Sequence, residues 1–285
     1  MGNGKSKMEK SLKKVIVFVL MLISFGMSAN AEVDKYSKEY LQENSHFSIT
    51  KPFAEYAVKK AVKSALKKET KANFDINFEG YTTSSIKKGI FKYIELEGKE
   101  VNYHDIVIPY VHLKSLTDYN YIDYTQSPMV FKSDMTYEYE LLLSEDSINS
   151  ALKDSDYNKI LAKVNRIANP LFVVSGTSIK IIDNKMYIIT SYNIPLVKGK
   201  ERTFIAQSDF EIVNGKIKAK NVSIDTSYGK LGLNKVANLI NYLNPLEFTL
   251  DLLDDNKHNG TIESIQIVDN KVKVGGKIYV KKANK

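Results

Sequence analysis

Three times after residue 180 the chain leaves one alternating apolar run, crosses two residues suited to a tight reverse turn, and enters another. The crossings are Ile182-Asp183-Asn184-Lys185, Val213-Asn214-Gly215-Lys216 and Val268-Asp269-Asn270-Lys271. Asp and Asn tolerate the left-handed backbone that two-residue hairpin turns demand, and Gly adopts it without steric cost. Strands joined so tightly are antiparallel neighbours, which makes antiparallel sheet a large part of any fold open to this chain. The spacing between the three turns is uneven, so a solenoid repeat is not expected.

Period-two patterning extends through the rest of the chain. Between Phe131 and Leu143, residues Phe131, Met135, Tyr137, Tyr139, Leu141 and Leu143 share one face of a strand, and Lys132, Asp134, Thr136, Glu138 and Glu140 share the other. Phe74, Ile76 and Phe78 alternate with Asn73, Asp75, Asn77 and Glu79 in the same way, as a half-buried strand does. Further strands are expected over Ile90 to Leu96, around Val101 to Tyr103 and over Ile106 to Leu113, with Glu97-Gly98 as a turn.

Helical periodicity interrupts this pattern. From Phe53 to Lys68, residues Ala54, Val58, Ala61, Val62, Ala65 and Leu66 recur at three- and four-residue steps while Lys59, Lys63 and Lys67 form a separate row. Ser144 reads as the N-cap of a short helix through Ile148, Ala151 and Leu152, and a second pattern runs from Tyr157 to Ile167. Another amphipathic helix carries Leu233, Val236, Leu239, Ile240 and Leu243, closed by Asn244-Pro245, with a strand ending near Leu252 beyond it. No Gly-, Pro- or Ser-rich linker divides the chain, so the expectation is one α+β domain over residues 50–281, preceded by a polar arm over 32–49.

The first residues read as an address. Lys5, Lys7, Lys10, Lys13 and Lys14 precede an uncharged apolar run from Val15 to Met27, and Ala29 and Ala31 frame a small-residue cleavage site. A signal peptide over residues 1–31, cleaved ahead of Glu32, is the expectation, and an uncleaved anchor is disfavoured because the run is shorter than the roughly 20 residues a spanning helix needs. The Met1-Gly2 start and the Gly4-Lys5-Ser6 triplet mimic an acylation signal and a phosphate loop, but a removed leader can be neither. What remains is expected outside the cytoplasm, in a periplasm or cell envelope, soluble or peripherally attached to membrane.

The sequence has no cysteine, which removes disulfides, thiolate metal sites, a thiol nucleophile and the acceptor of a lipoprotein anchor. The formal charge of +8 falls to +4 without the leader, as 36 basic and 32 acidic residues remain. Nucleic acid is therefore not an expected partner, whereas a local basic face would favour an anionic membrane surface.

No motif announces chemistry. His46, His104, His112 and His258 stand outside any metal-ligand pattern and read as exposed or hydrogen-bonded side chains. The stretch Asp254-Asp255-Asn256 does not open a calcium loop, because Lys257 and Gln266 would fall at ligand positions. With no nucleophile elbow, dinucleotide fingerprint or phosphate loop after residue 31, neither a cofactor nor a metal is expected, and a non-catalytic role is the leading reading.

The order of elements resembles the LmeA-like phospholipid-binding family of exported bacterial proteins, itself similar to the tubular lipid-binding (TULIP) proteins. The likeness is carried by the helix from Phe53 to Lys68, the strand from Asn73 to Tyr81 and the segment Gly89-Ile90-Phe91-Lys92-Tyr93-Ile94-Glu95-Leu96-Glu97-Gly98. It continues through Leu142-Leu143-Ser144-Glu145-Asp146-Ser147, then Asn241-Tyr242-Leu243-Asn244-Pro245, Ile262 to Lys271 and Val272 to Val280. The resemblance implies a strongly curved antiparallel sheet wrapped around the long N-terminal helix, additional short helices, and an apolar groove that holds a phospholipid or similar amphiphile. On that basis Val58, Val62, Leu66, Phe74, Ile76, Phe78, Phe131, Met135, Tyr137, Tyr139 and Leu141 are the expected groove residues. Lys59, Lys63 and Lys67 are candidates for attracting the head group, against the alternative of a solvated helix face. The competing functions are an envelope scaffold with a packed β core and an envelope lipid or glycan hydrolase or transferase; a protein partner is not specified.

Overall fold

The structure, a computed structural model, describes residues 35–45, 48–103, 105–125, 130–168, 172–195, 201–226, 242–253 and 259–283. The expected leader, most of the helix expected over 233–243, and His46, His104 and His258 lie outside the described residues. Within them the chain is mixed α+β, built on curved antiparallel sheets.

The elements run α1 (Lys38–Glu43), α2 (Lys51–Thr70), β1 (Asn73–Glu79), α3 (Thr83–Lys87), β2 (Ile90–Phe91), β3 (Tyr93–Tyr103), β4 (Ile106–Ser115), β5 (Asn120–Asp123), β6 (Val130–Phe131) and β7 (Met135–Leu143). They continue with α4 (Glu145–Ala151), α5 (Ser155–Ala168), β8 (Val173–Ile182), β9 (Lys185–Asn193), β10 (Arg202–Val213), β11 (Lys216–Thr226), α6 (Pro245–Leu253), β12 (Asn259–Val268) and β13 (Lys271–Val280). Six strands form one sheet in the order β1-β3-β4-β7-β13-β12, four form a meander β11-β10-β9-β8, and β2, β5 and β6 make a small third sheet.

The three hairpin turns fall where the sequence puts them. Asp183, Asn184, Asn214, Gly215, Asp269 and Asn270 all have positive φ, between 50° and 73°, as two-residue turns with both central residues left-handed require. Two of these turns meet: the tips of β8–β9 and β12–β13, from different sheets, are joined through Asn184 and Asn270.

Helix α2 forms because Pro52 sits in its first turn, where no backbone donor is needed, and because Val58, Val62, Ala65 and Leu66 fall on one side. That side packs on β1 and β3, while Lys71 in the left-handed conformation ends the helix. Ser144 caps α4 as expected, in a reciprocal pair with Ser147. A capping box of Thr82 and Ser85 opens α3, a short helix that periodicity does not reveal.

Four expectations are corrected. The segment before α2 is not merely a polar arm: Ser37 caps α1, and Leu41, 1% exposed, packs with Tyr81 and Ile90 in a small separate core. Glu97-Gly98 is no turn but the middle of β3. The run from Phe131 to Leu143 is split, because Lys132 and Ser133 bond Tyr121 while Asp134 accepts from the Lys282 backbone, leaving Phe131 in the third sheet opposite Ile122. Asn244 and Pro245 open a helix, with the Asn244 side chain accepting from the Leu246 backbone, so residues up to Leu252 are helical and not a strand.

One apolar core joins α2, both larger sheets and α4 to α6. At its centre Tyr157 is buried against Phe248, ring centroids 4.9 Å apart, and its hydroxyl donates to the Leu243 carbonyl at 3.1 Å.

Candidate functional site

Alternation along each strand becomes two chemically distinct faces once the register of the six-stranded sheet is set. One row across all six strands reads Ile76, Leu96, Leu113, Tyr139, Gly276, Ile262, and its neighbour reads Phe74, Gly98, Val111, Leu141, Val274, Ile265. The opposite face carries Asn77, Glu95, Lys114, Glu138 and Lys277 in one row and Asp75, Glu97, His112 and Glu140 in the next. Antiparallel sheets with one solvated face are built this way.

The apolar face is covered unevenly. At one edge α2 lies over β1 and β3, and Phe74 and Phe78 are 3% and 2% exposed. Over β4, α4 is pinned by Ser147, whose hydroxyl donates to the Val107 carbonyl at 2.6 Å. The same helix reaches β8, where the Asn149 side chain accepts from the Ile179 N–H at 2.8 Å and donates to the Ile179 carbonyl at 3.0 Å. Elsewhere on this face Val111, Leu113, Tyr139, Leu141, Ile262, Ile265 and Ile278 are only half-buried, while Val274 and Gly276 on β13, between the β7 and β12 members, are buried.

Two aromatic rings lie along this face because glycines make room for them. A Cβ on Gly98 would enter the ring of Phe74, which is its partner in register, and a Cβ on Gly276 would meet Tyr139 in the same relationship. Each ring is thereby laid down on the neighbouring strand, which lowers the surface of the face instead of studding it.

The expected groove residues divide into two groups. Val58, Val62, Leu66, Phe74, Phe78, Met135 and Tyr137 are 0–6% exposed and sealed against one another in the core, so a ligand reaching them would have to displace protein atoms. Ile76, Tyr139 and Leu141 do lie half-buried on the apolar face, whereas Phe131 sits in the third sheet. Lys63 and Lys67 are exposed on the side of α2 away from its buried row, and Lys59 is half-buried at its flank. Val111, Leu113, Ile262, Ile265 and Ile278 were not among the expected site residues; each alternates with polar neighbours, but only the register places them on one face.

The polar face holds the one histidine described. His112 Nε2 is 2.9 Å from Glu95 Oε1, and the Tyr93 hydroxyl donates to Glu95 Oε2 at 2.8 Å. These bonds, His112's first, hold the Glu95 carboxyl below its ordinary range, while burial and then Glu95 push the Tyr93 phenol up to about 12. A shallow polar depression of about 250 Å³ lies on this face among Asn73, Asp75, Glu97 and Lys99. Among the described residues no three His, Asp or Glu side chains converge as a metal site, and no helix is long and apolar enough to cross a membrane.

Comparison with protein-family models, with characterised proteins and with solved structures returns no match to this chain. The functional reading therefore rests on the residues themselves.

Proposed function

We propose that this protein is an exported, non-catalytic binder of a phospholipid or related amphiphile, held with its acyl chains along the apolar face of the six-stranded sheet. The observation that carries the reading is the half-buried set of Val111, Leu113, Tyr139, Leu141, Ile262, Ile265 and Ile278, all on one face of four hydrogen-bonded strands. An acyl chain laid on it leaves water at a gain of about 0.8 kcal/mol per buried CH₂, and no bond need be made or broken. In this reading the curved sheet is the wall of a TULIP-like groove with α2 at one margin, and binding or transfer serves envelope lipid or glycolipid metabolism.

The site differs from the one expected at the outset. The α2–β1 junction is filled by its own side chains, and that filled junction is what favours the second reading, an envelope scaffold with a packed core. Uptake of a fluorescent phospholipid from donor vesicles separates the two. Leu113→Glu and Ile265→Glu, both at half-buried positions, are expected to abolish uptake while the far-ultraviolet spectrum is kept. Uptake that is absent from the unaltered protein would sink the lipid reading and leave the scaffold.

A further inference from the structure

Helix α2 has a second face that its packing does not use. Ile49, just ahead of the helix, and Phe53 and Tyr56 within it are 76%, 72% and 66% exposed. At 100° per residue Phe53 and Tyr56 fall on one stripe that continues through Lys60, Lys63 and Lys67, opposite Val58 and Val62, and Ile49 precedes its N-terminal end. The helix holds six lysines and two glutamates. Lys51 is engaged by Glu55 at 3.6 Å and Lys63 lies 3.9 Å from Asp75, while Lys60 and Lys67 have no ion-pair partner among the described residues.

We propose that this outward stripe of α2 is a docking surface for an anionic phospholipid bilayer. Large apolar and aromatic side chains two-thirds or more exposed are unfavourable in water, and their adjacency makes one patch where isolated residues would call for no account. The lysines that follow in the same line supply the complementary charge. Phe53 to Lys67 spans about 21 Å at 1.5 Å per residue, so the helix lies along the membrane plane. Its N-terminal end then presses Ile49, Phe53 and Tyr56 to the level of the head groups and upper acyl chains, and its lysines extend their stems over the surface to reach phosphates. A second copy of the chain is a poorer occupant, since pairing two such stripes brings rows of like charge together.

This surface is separate from the sheet face, and the inference stands or falls without it. A protein that docks on vesicles yet takes up no lipid would retain this account while losing the proposed function.

The sequence has no tryptophan, so Phe53→Trp installs a single fluorescent reporter at the centre of the patch. The protein is expressed whole, purified as the cell leaves it, and titrated with phosphatidylglycerol–phosphatidylcholine vesicles or with phosphatidylcholine alone. The reporter reads its own position, so attachment through any other part of the chain leaves it unchanged. The expected result is a blue shift and quenching by brominated acyl chains with the anionic vesicles, weakened by salt. Val268→Trp, at the 44% exposed tip of β12–β13, is expected to show neither. Phe53→Ser with Tyr56→Ser, and separately Lys60→Glu with Lys67→Glu, are expected to lower vesicle partitioning by about tenfold each. Position 53 staying in water on anionic vesicles would overturn the proposal, as would equal shifts at 53 and 268. So would the finding that the serine pair splits a dimer without changing vesicle binding.

Discussion

Asn184 and Asn270, 86 residues apart, hydrogen-bond reciprocally: each side-chain oxygen accepts from the other's backbone N–H, at 3.0 and 2.9 Å. The two hairpins they terminate also share the run Ser-Ile-x-Ile, at 178–181 and 264–267, ahead of a common Asp-Asn-Lys turn. A pair of matched turns in left-handed conformation is thereby made into a clasp between the four-stranded and six-stranded sheets.

The clasp separates backbone from side chain in a testable way. Asn184→Gly keeps the positive φ of 56° and loses one bond, so it is expected to cost about 0.5–1.5 kcal/mol in chemical denaturation. Asn184→Ala, which must also hold a Cβ in the left-handed region, is expected to cost about 1–2 kcal/mol more. Equal losses for the two variants would mean that turn conformation is not what Asn184 contributes.

Gly98 is where a turn is most easily misread and where a ring explains the residue. Gly98→Ala drives a Cβ into Phe74 and is expected to cost about 1–3 kcal/mol by overpacking. Combining it with Phe74→Leu is expected to cost less than the sum of the two single changes. A fully additive pair would contradict the close approach.

Sealed and half-buried apolar residues should part company functionally. Leu66→Ala, at 1% exposure on the buried side of α2, is expected to lose about 2–5 kcal/mol of stability and to leave lipid uptake by the folded protein unaltered. Leu113→Glu is expected to do the reverse. Loss of uptake in Leu66→Ala at a temperature where it stays folded would return the α2–β1 junction to the site.

Glu95 makes stability depend on pH with a definite sign. Its folded pKa lies below the unfolded value near about 4.3, so its contribution is present above that value and lost as pH falls through the folded one. Glu95→Gln is therefore expected to lower stability at neutral pH by about 0.5–1 kcal/mol, the half-exposed site being screened. It is also expected to narrow its gap to the unaltered protein as pH falls below about 4.5. A gap that widens in acid would contradict the bond to His112.

Much of this architecture is written in local pattern. Turn chemistry located the β8–β9, β10–β11 and β12–β13 hairpins because Asn and Asp at 183–184 and 269–270 leave few other conformations, and the phase of Met135, Tyr137, Tyr139 and Leu141 along their strand was legible from alternation. What alternation cannot supply is the partner of each strand. Leu113 joins Tyr139 on one face only because β4 pairs with β7 and Tyr139 lies opposite it. The same gap explains the misplaced turn at Glu97-Gly98, where the glycine answers to Phe74 on a neighbouring strand. The strand expected up to Leu252 is a helix because Pro245 falls in a first helical turn, where no backbone donor is needed, and Asn244 before it caps that turn.

The central claim is tested most directly by native mass spectrometry of the protein purified from cells without detergent, followed by organic extraction and lipid analysis of the same sample. The account predicts a stoichiometric phospholipid or related amphiphile on the unaltered protein and its absence from Leu113→Glu. A ligand-free mass for the unaltered protein, unchanged after incubation with vesicles, would contradict it.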